Sequence, residues 1–153
     1  MFKIFKKQNK KDNQLPKSTQ QILSETFTNL IAAFDKDAKK LSPPDFNLCL
    51  IEILEMEVNN GGFNLYFVNS YGGYIQQTID ALDTIGSKVF KEILQKAKKL
   101  YPSDSISEDR SERVELIMDS EGLFEKLDRE FYAAYSKEDI HQMLLDYYNK
   151  HKK

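Results

Sequence analysis

Residues 57–74 (EVNNGGFNLYFVNSYGGY) concentrate the residue types from which a ligand-binding loop could be built. The segment holds four of the chain's six glycines, as the pairs Gly61–Gly62 and Gly72–Gly73. A P-loop would need Lys and then Ser or Thr after its last glycine, and a dinucleotide fingerprint needs G-x-G-x-x-G after a strand. Tyr-Ile-Gln follows Gly73 and a predicted helix precedes Gly61, so the pattern does not predict nucleotide binding.

The same glycines fit a structural interpretation. Asn60–Gly61 predicts a left-handed helix terminus, and Gly62 would let the chain turn tightly. Three aromatic side chains then follow at i, i+3 and i+4, which predicts a short helix that ends at the second glycine pair. We therefore predict a structural motif that borders a possible pocket, consisting of Glu57, Asn59, Gly61, Gly62, Phe63, Tyr66, Phe67, Asn69 and Gly72.

Glu138-x-x-His141 matches half of a carboxylate-bundle metal motif. A complete site needs a second Glu-x-x-His pair and two further glutamates. Glu52 and Glu55 are candidate partners, but the only other histidine is His151, near the end of the chain. We therefore predict a solvated pair on a helix face, with no metal and no other cofactor.

The composition predicts one soluble globular domain. The chain has 153 residues, of which 41% are hydrophobic and 30% charged. Its only cysteine, Cys49, excludes an intrachain disulfide, and its apolar helical context favours burial over a nucleophilic role. No apolar run approaches the ~20 residues that cross a membrane, and none follows Met1 as in a signal peptide. We expect a cytoplasmic, non-enzymatic protein.

Charge is distributed unevenly along the chain. Residues 1–17 carry six lysines and one aspartate, which predicts a disordered basic tail; Phe2, Ile4 and Phe5 within it could touch an anionic membrane surface. Residues 18–149 contain 13 basic and 23 acidic side chains, a net charge of −10. An acidic body repels nucleic acid directly and favours basic protein partners.

Residues 104–130 are the most acidic stretch, with ten acids and four bases. Four of the acids follow i, i+4, i+7 and i+11, which predicts one continuous helical stripe. The predicted partner-binding face comprises Glu108, Glu112, Glu115, Asp119, Glu121, Glu125 and Asp128. The alternative is a solvated surface, since the bases Arg110, Arg113, Lys126 and Arg129 dilute the acids, and a lysine patch over 88–99 is opposed only by Glu92.

The elements that must position these residues are six or seven helices. Ser18 to Gln21 forms a capping box, Ser42-Pro43-Pro44-Asp45 begins a central buried helix, and Gly86 and Ser87 separate two later helices. We predict a helix over 109–120 that turns Val114, Ile117 and Met118 inward and ends near Gly122. Ser136-x-x-Asp139 is predicted to open the last helix. The fold class is all-α, a single compact domain over residues 18–150.

Four motifs carry a family resemblance. They are E-x-N-N-G-G-F-x-x-Y-F-x-N-S-x-G at 57–72, D-A-L-x-x-I-G at 80–86, L-D-x-x-F-Y at 127–132 and E-D-I-x-x-M-L-L-x-Y-Y at 138–148. Together they resemble the C-terminal domain of a bacterial DNA-mimic protein family, over roughly residues 20–150. The resemblance implies a helical protein. A homodimer is one of the oligomeric states that it allows. The resemblance also implies an acidic surface that imitates DNA and sequesters a helix-turn-helix transcription factor.

Two functions follow as expectations. The first is a non-enzymatic interaction protein whose acidic surface binds a basic partner, with DNA mimicry as its sharpest form. The alternative is a small-molecule or metal-dependent activity in a pocket beside the glycine corners, lined by Glu57, Asn59, Tyr66 and Asn69.

Overall fold

Helix α2 (Pro43–Val68) is the element around which most of the other helices pack, as seen in a computed structural model that describes residues 15–69 and 71–153. The other six helices are α1 (Thr19–Asp37), α3 (Ile75–Ile85), α4 (Lys88–Leu100), α5 (Arg110–Met118), α6 (Glu125–Ala134) and α7 (Ile140–His151). Two short 3-10 turns, Ala38–Lys40 and Gly72–Tyr74, precede α2 and α3. The described residues contain no strand, which confirms the all-α prediction.

The burial of α2 follows from its sequence. The segment FNLCLIEILEMEV is apolar on most sides, and α1, α3, α5, α6 and α7 all contact the helix. Cys49 is fully buried there, and burial raises the pKa of its thiol to about 12, so the thiolate form is strongly disfavoured. Although α2 is long, none of the described helices is both long and apolar enough to cross a membrane. The predictions for the tail concern residues of which 1–14 lie outside the described part.

Local sequence signals set several helix ends as predicted. Ser18 accepts a hydrogen bond from the Gln21 backbone N–H, and the Gln21 side chain accepts one from the Ser18 N–H, which completes the capping box at α1. Pro43 and Pro44 occupy the first turn of α2. Gly86 ends α3 with a left-handed φ of 82°.

The starts of α4 and α7 differ from the sequence prediction. The first involves a residue distant in sequence, and the second is capped by a residue other than the predicted one. Ser87 precedes α4, but its hydroxyl donates to Glu138 instead of capping the helix, and Glu138 Oε1 accepts from the Val89 N–H at 2.9 Å. The cap of α7 is Asp139, which accepts from the Gln142 N–H. Ser136 donates to a carbonyl of the preceding helix, so its predicted role as a cap is wrong.

The first glycine pair produces a sharp kink inside α2. Gly62, and not Gly61 as predicted, adopts the left-handed region with φ 70°, while Gly61 is extended with φ −163°. The helix resumes at Phe63, whose N–H donates to Asp128 Oδ1 on α6 at 2.8 Å. The Cβ of any side chain at residue 62 would overlap the Asp128 carboxylate. The corner therefore depends on both a backbone conformation and a close approach.

The helical turn after the kink fills the core with aromatic rings, as its spacing predicts. Phe63, Tyr66 and Phe67 are buried and pack against one another and against Phe124 of the α6 start. Gly72 then lies so close to this turn that a Cβ would come within 2.8 Å of the Tyr66 and Phe67 carbonyl oxygens. Glycine is therefore required at position 72, the first residue of the second pair, because the backbone packs closely there.

Candidate functional site

The orientation of α5 is set by Arg113, which is only 1% exposed. Its Nε donates to the Phe67 carbonyl at 2.8 Å, Nη2 to the Asn69 carbonyl at 2.9 Å and Nη1 to the Ser107 carbonyl at 2.7 Å. The guanidinium thus satisfies carbonyls at the C-terminal end of α2, where intrahelical partners are missing. The prediction that Arg113 dilutes the surface acids is wrong, because the side chain points into the protein.

With Arg113 inside, the acids of α5 lie on the exposed side of the helix. Glu112, Glu115 and Asp119 are exposed. Asp119 is the C-cap residue, and Glu108 precedes the N-cap Asp109, so the helix itself spans nine residues. The predicted continuous helical stripe is therefore shorter than expected, with an acid beyond each end.

The loop after α5 and the start of α6 extend this surface. Glu121 and Glu125 are exposed, and left-handed Gly122 (φ 78°) lies between them instead of ending α5. Among the described residues no ion pair involves these acids. We define the acidic surface as Glu108, Glu112, Glu115, Asp119, Glu121 and Glu125.

Asp128 is the predicted face residue that does not belong to this surface. It is half-buried, and its carboxylate accepts the Phe63 N–H at the restart of α2. Burial raises the pKa of Asp128, while the hydrogen bond from Phe63 and the charge of Arg129 act in the opposite direction. The Asp128 side chain therefore stabilises the kink of α2.

The lysines of α4 are partly neutralised by neighbouring helices. Lys91 pairs with Asp83 of α3 at 2.7 Å, and Lys96 approaches Glu130 of α6 at 3.4 Å. The sequence-based view that only Glu92 opposes these lysines is therefore wrong. The positive charge that the lysines of α4 present to solvent is therefore smaller than the sequence suggests.

A second group of polar side chains lies between α1, α2 and α7. Glu55 is 6% exposed, and its Oε1 accepts from the Tyr135 hydroxyl at 2.8 Å and lies 2.7 Å from His141 Nε2. The hydrogen bond to Glu55 raises the pKa of His141, and burial opposes the rise. Asn59 donates to the Tyr135 hydroxyl at 3.0 Å. This α1–α7 pocket has a volume of about 600 Å³.

Glu52 lines the same pocket and differs from Glu55 in having no hydrogen bond or ion pair with any described residue. Burial raises the pKa of Glu52 to about 7, and the charge of Glu55 adds to the rise. Glu138 does not join His141, because its carboxylate lies at the start of α4. No cluster of three His, Cys, Asp or Glu side chains is arranged to hold a metal ion in the described part of the chain.

Three of the four residues predicted to line a pocket beside the glycine corners contact other groups of the fold. Glu57 is buried and accepts a hydrogen bond from the Asn69 side-chain amide. Tyr66 is buried with its hydroxyl 3.4 Å from Thr78 Oγ1. Of the four predicted lining residues, Asn59 is the one that borders the α1–α7 pocket. Glu57 and Asn69 instead join the two halves of the kinked segment.

With this geometry established, comparison with known families decides the relationship. A family model described as DMP19-like protein matches residues 39–151. The chain belongs to the DMP19-like protein family. The resemblance to a DNA-mimic family is therefore confirmed. Searches of curated proteins and of solved structures found no match.

The DMP19-like match covers the kink, the acidic surface and the Glu55–His141 contact, but begins after α1. Helix α1 nevertheless contributes Gln20, Gln21 and Ser24 to the wall of the α1–α7 pocket. Sequence reasoning considered Glu52, Glu55 and His141 for a metal site without predicting their pocket. For Glu52 and Glu55 the signal was the presence of acids in an otherwise apolar helix, and for His141 it was the Glu-x-x-His spacing. Arg113 carried no such signal, since charged residues surround it in sequence.

Proposed function

We propose that this DMP19-like protein binds a basic protein partner through its acidic surface, and that the surface occupies the DNA-binding site of that partner. The supporting observation is that six acids are displayed without an ion pair within the described chain while Arg113 is withdrawn from among them. Membership of the DMP19-like family is compatible with the DNA-mimic form of this function.

The charge density of the surface limits what one helix can do. Helix α5 is nine residues long, or about 14 Å, and carries Glu112 and Glu115, with Asp119 at its end. Duplex DNA carries one charge per ~1.7 Å of axis. The acids of the α5–α6 loop and of α6 must therefore act together with those of α5 to present a DNA-like field. The partner would contact a surface and not a single stripe.

The decisive experiment is charge reversal on this surface. The triple variant Glu112→Lys, Glu115→Lys, Asp119→Lys should lose capture of a DNA-binding protein from extract of the native cell. The wild-type complex should be released by a salt gradient and displaced by duplex DNA, because counterion release makes such binding salt-dependent. Undiminished binding by the triple variant would disprove the electrostatic proposal.

A matched control keeps the net charge change the same. Asp80→Lys, Glu92→Lys and Asp146→Lys reverse three exposed acids on α3, α4 and α7. This variant should retain the partner and the displacement by duplex DNA. Equal loss in both triple variants would mean that net charge, and no particular surface, governs capture.

A second candidate function is binding of a small cationic molecule in the α1–α7 pocket. It is favoured by Glu52, a partly buried carboxylate without a partner among the described residues, beside the hydrogen-bonded Glu55 and His141. A guanidinium or ammonium group would supply the missing countercharge.

Titration of the labelled protein with guanidinium and alkylammonium ions would test this candidate. The imidazole resonances of His141 should shift saturably, and Glu52→Gln should weaken binding at pH 8 by about tenfold. Non-saturable shifts that are equal in wild type and variant would reject the pocket as a binding site.

A further inference from the structure

Met118 is more exposed than any other apolar residue of α5. Its side chain is 75% accessible, whereas Ile117 beside it is 4% accessible. Successive helical residues are separated by about 100° around the axis. Because Arg113 and Ile117 occupy the inward direction, Met118 is turned away from the core. The prediction that Met118 points inward is therefore wrong, and the cause is the buried arginine.

Met118 forms one side of an open groove between α5 and the kinked part of α2. The groove has a volume of about 500 Å³, and its apolar lining comes from Leu65, Val68, Ile117 and Met118. Gly61 also lines the groove and, as a glycine, contributes no side chain to its wall. We call this feature the α2–α5 groove. Asn60 and Asn64 also line the groove, so its surface is mainly apolar with two amide groups, and it opens to solvent.

The rim of the α2–α5 groove carries negative charge. Glu121 lines the groove, Glu115 is exposed on the same helix as Met118, and Asp119, the C-cap residue of that helix, is also exposed. Among the described residues no Lys or Arg lines it. A mainly apolar groove beside exposed acids is complementary to a basic segment that presents an apolar side chain.

We propose that the α2–α5 groove receives one apolar side chain from a basic helix of the partner, while the acidic surface pairs with the surrounding basic residues. This inference rests on the proposed function and makes its partner more specific. Protein–DNA interfaces are wet and strongly charged, so imitation of phosphates alone does not need an apolar groove. Protein–protein interfaces combine a buried apolar or aromatic anchor with a polar rim.

Two defined peptides test the groove without knowledge of the partner. Both are stapled lysine-rich helices of equal charge; one has a central leucine and the other has glutamine in its place. The leucine peptide should bind the full chain about tenfold more tightly, because its side chain is buried in the groove. Only the leucine peptide should shift the methyl resonance of Met118 strongly.

Met118→Gln should reduce the affinity difference between the peptides to about twofold or less. Its high exposure means that the substitution leaves folding intact. Met56→Gln is the matched control, since Met56 is also exposed (39%) but lies at the α1–α7 pocket, and it should preserve the tenfold difference.

The outcomes separate the two proposals. Equal affinity of both peptides for the wild-type protein, lost in the triple charge-reversal variant, would overturn the groove and leave the acidic surface intact. A leucine preference that survives Met118→Gln would likewise overturn the groove as its location. Absence of binding by either peptide at low salt would count against both proposals.

Discussion

Glutamates on α2 and on α5 are used in opposite ways. Glu55 and Glu57 of α2 are buried, and each accepts hydrogen bonds that join parts of the fold. Glu112 and Glu115 of α5 are exposed, and no hydrogen bond or ion pair within the described residues involves them. The hydrogen-bonded carboxylates hold the fold, while the unpaired ones remain available to a partner. Folding and binding should therefore be separable by mutation.

Two arginines on the same helix give the strongest test of this separation. Arg113→Ala should lower the free energy of unfolding by about 4 kcal/mol, because it leaves buried carbonyls unpaired and creates a cavity. Arg110 is exposed, so Arg110→Ala should change stability by less than ~0.5 kcal/mol. Urea unfolding monitored by circular dichroism measures both values. Similar stabilities of the two variants would refute the structural role of Arg113.

The glycine pairs provide the next largest effect. Gly62→Ala should cost about 3 kcal/mol, since the new Cβ meets the Asp128 carboxylate and the backbone has φ 70°. Gly73 is the control: apart from its neighbours along the chain, no heavy atom lies within 4 Å of the position that a Cβ would take, and its φ is not positive. Gly73→Ala should be neutral or slightly stabilising. A comparable loss in both variants would show that chain flexibility, and not the close approach, requires glycine.

Features that depend on residues close together in the sequence were predicted correctly. Features that depend on contacts between residues distant in the sequence were not. The capping box at Ser18 and the burial of α2 follow from patterns within a few turns of helix. The inward position of Arg113 depends on carbonyls more than forty residues away. The kink was expected, but its left-handed residue is determined by where Asp128 approaches. The acids of the surface could be named from composition, whereas their exposure and lack of partners could not.

Glu52 is a partly buried carboxylate without a partner among the described residues, so its effect should depend on pH. Burial raises its pKa from an ordinary value of 4.5 to about 7, so the folded state binds the proton more tightly than the unfolded state. The stability that this provides is fully present below pH 4.5 and is lost as the pH rises through 7. Glu52→Gln removes this loss, since glutamine stays neutral.

At about pH 8 we expect Glu52→Gln to increase the free energy of unfolding by roughly 2 kcal/mol, and at about pH 4 to leave it unchanged. The exposed Glu92 is the control, and Glu92→Gln should change stability by less than ~0.5 kcal/mol at either pH. Urea titrations at the two pH values measure the difference. A stability gain that is equal at both would rule out protonation of Glu52 as its cause.

Asp128 and Glu125, near the start of α6, have the two different roles of carboxylates: Asp128 supports the fold, and Glu125 is proposed to bind the partner. Asp128→Ala removes the acceptor of the Phe63 N–H and should cost about 1 kcal/mol, as loss of a helix cap does. Glu125→Ala should leave stability nearly unchanged, because Glu125 is exposed, but should weaken binding of a basic partner.

Combining Asp128→Ala with Gly62→Ala sharpens the assignment. The carboxylate that would meet the new Cβ is then absent, so the double variant should be less destabilised than the sum of the two single variants. The cost that remains should be that of the backbone at residue 62, whose φ of 70° and ψ of −170° are unfavourable for an L-residue by about 1–3 kcal/mol. Additive losses would mean that Asp128 and the kink act independently. The side chain of Asp128 would then be assigned to partner binding together with the acidic surface, and not to the kink.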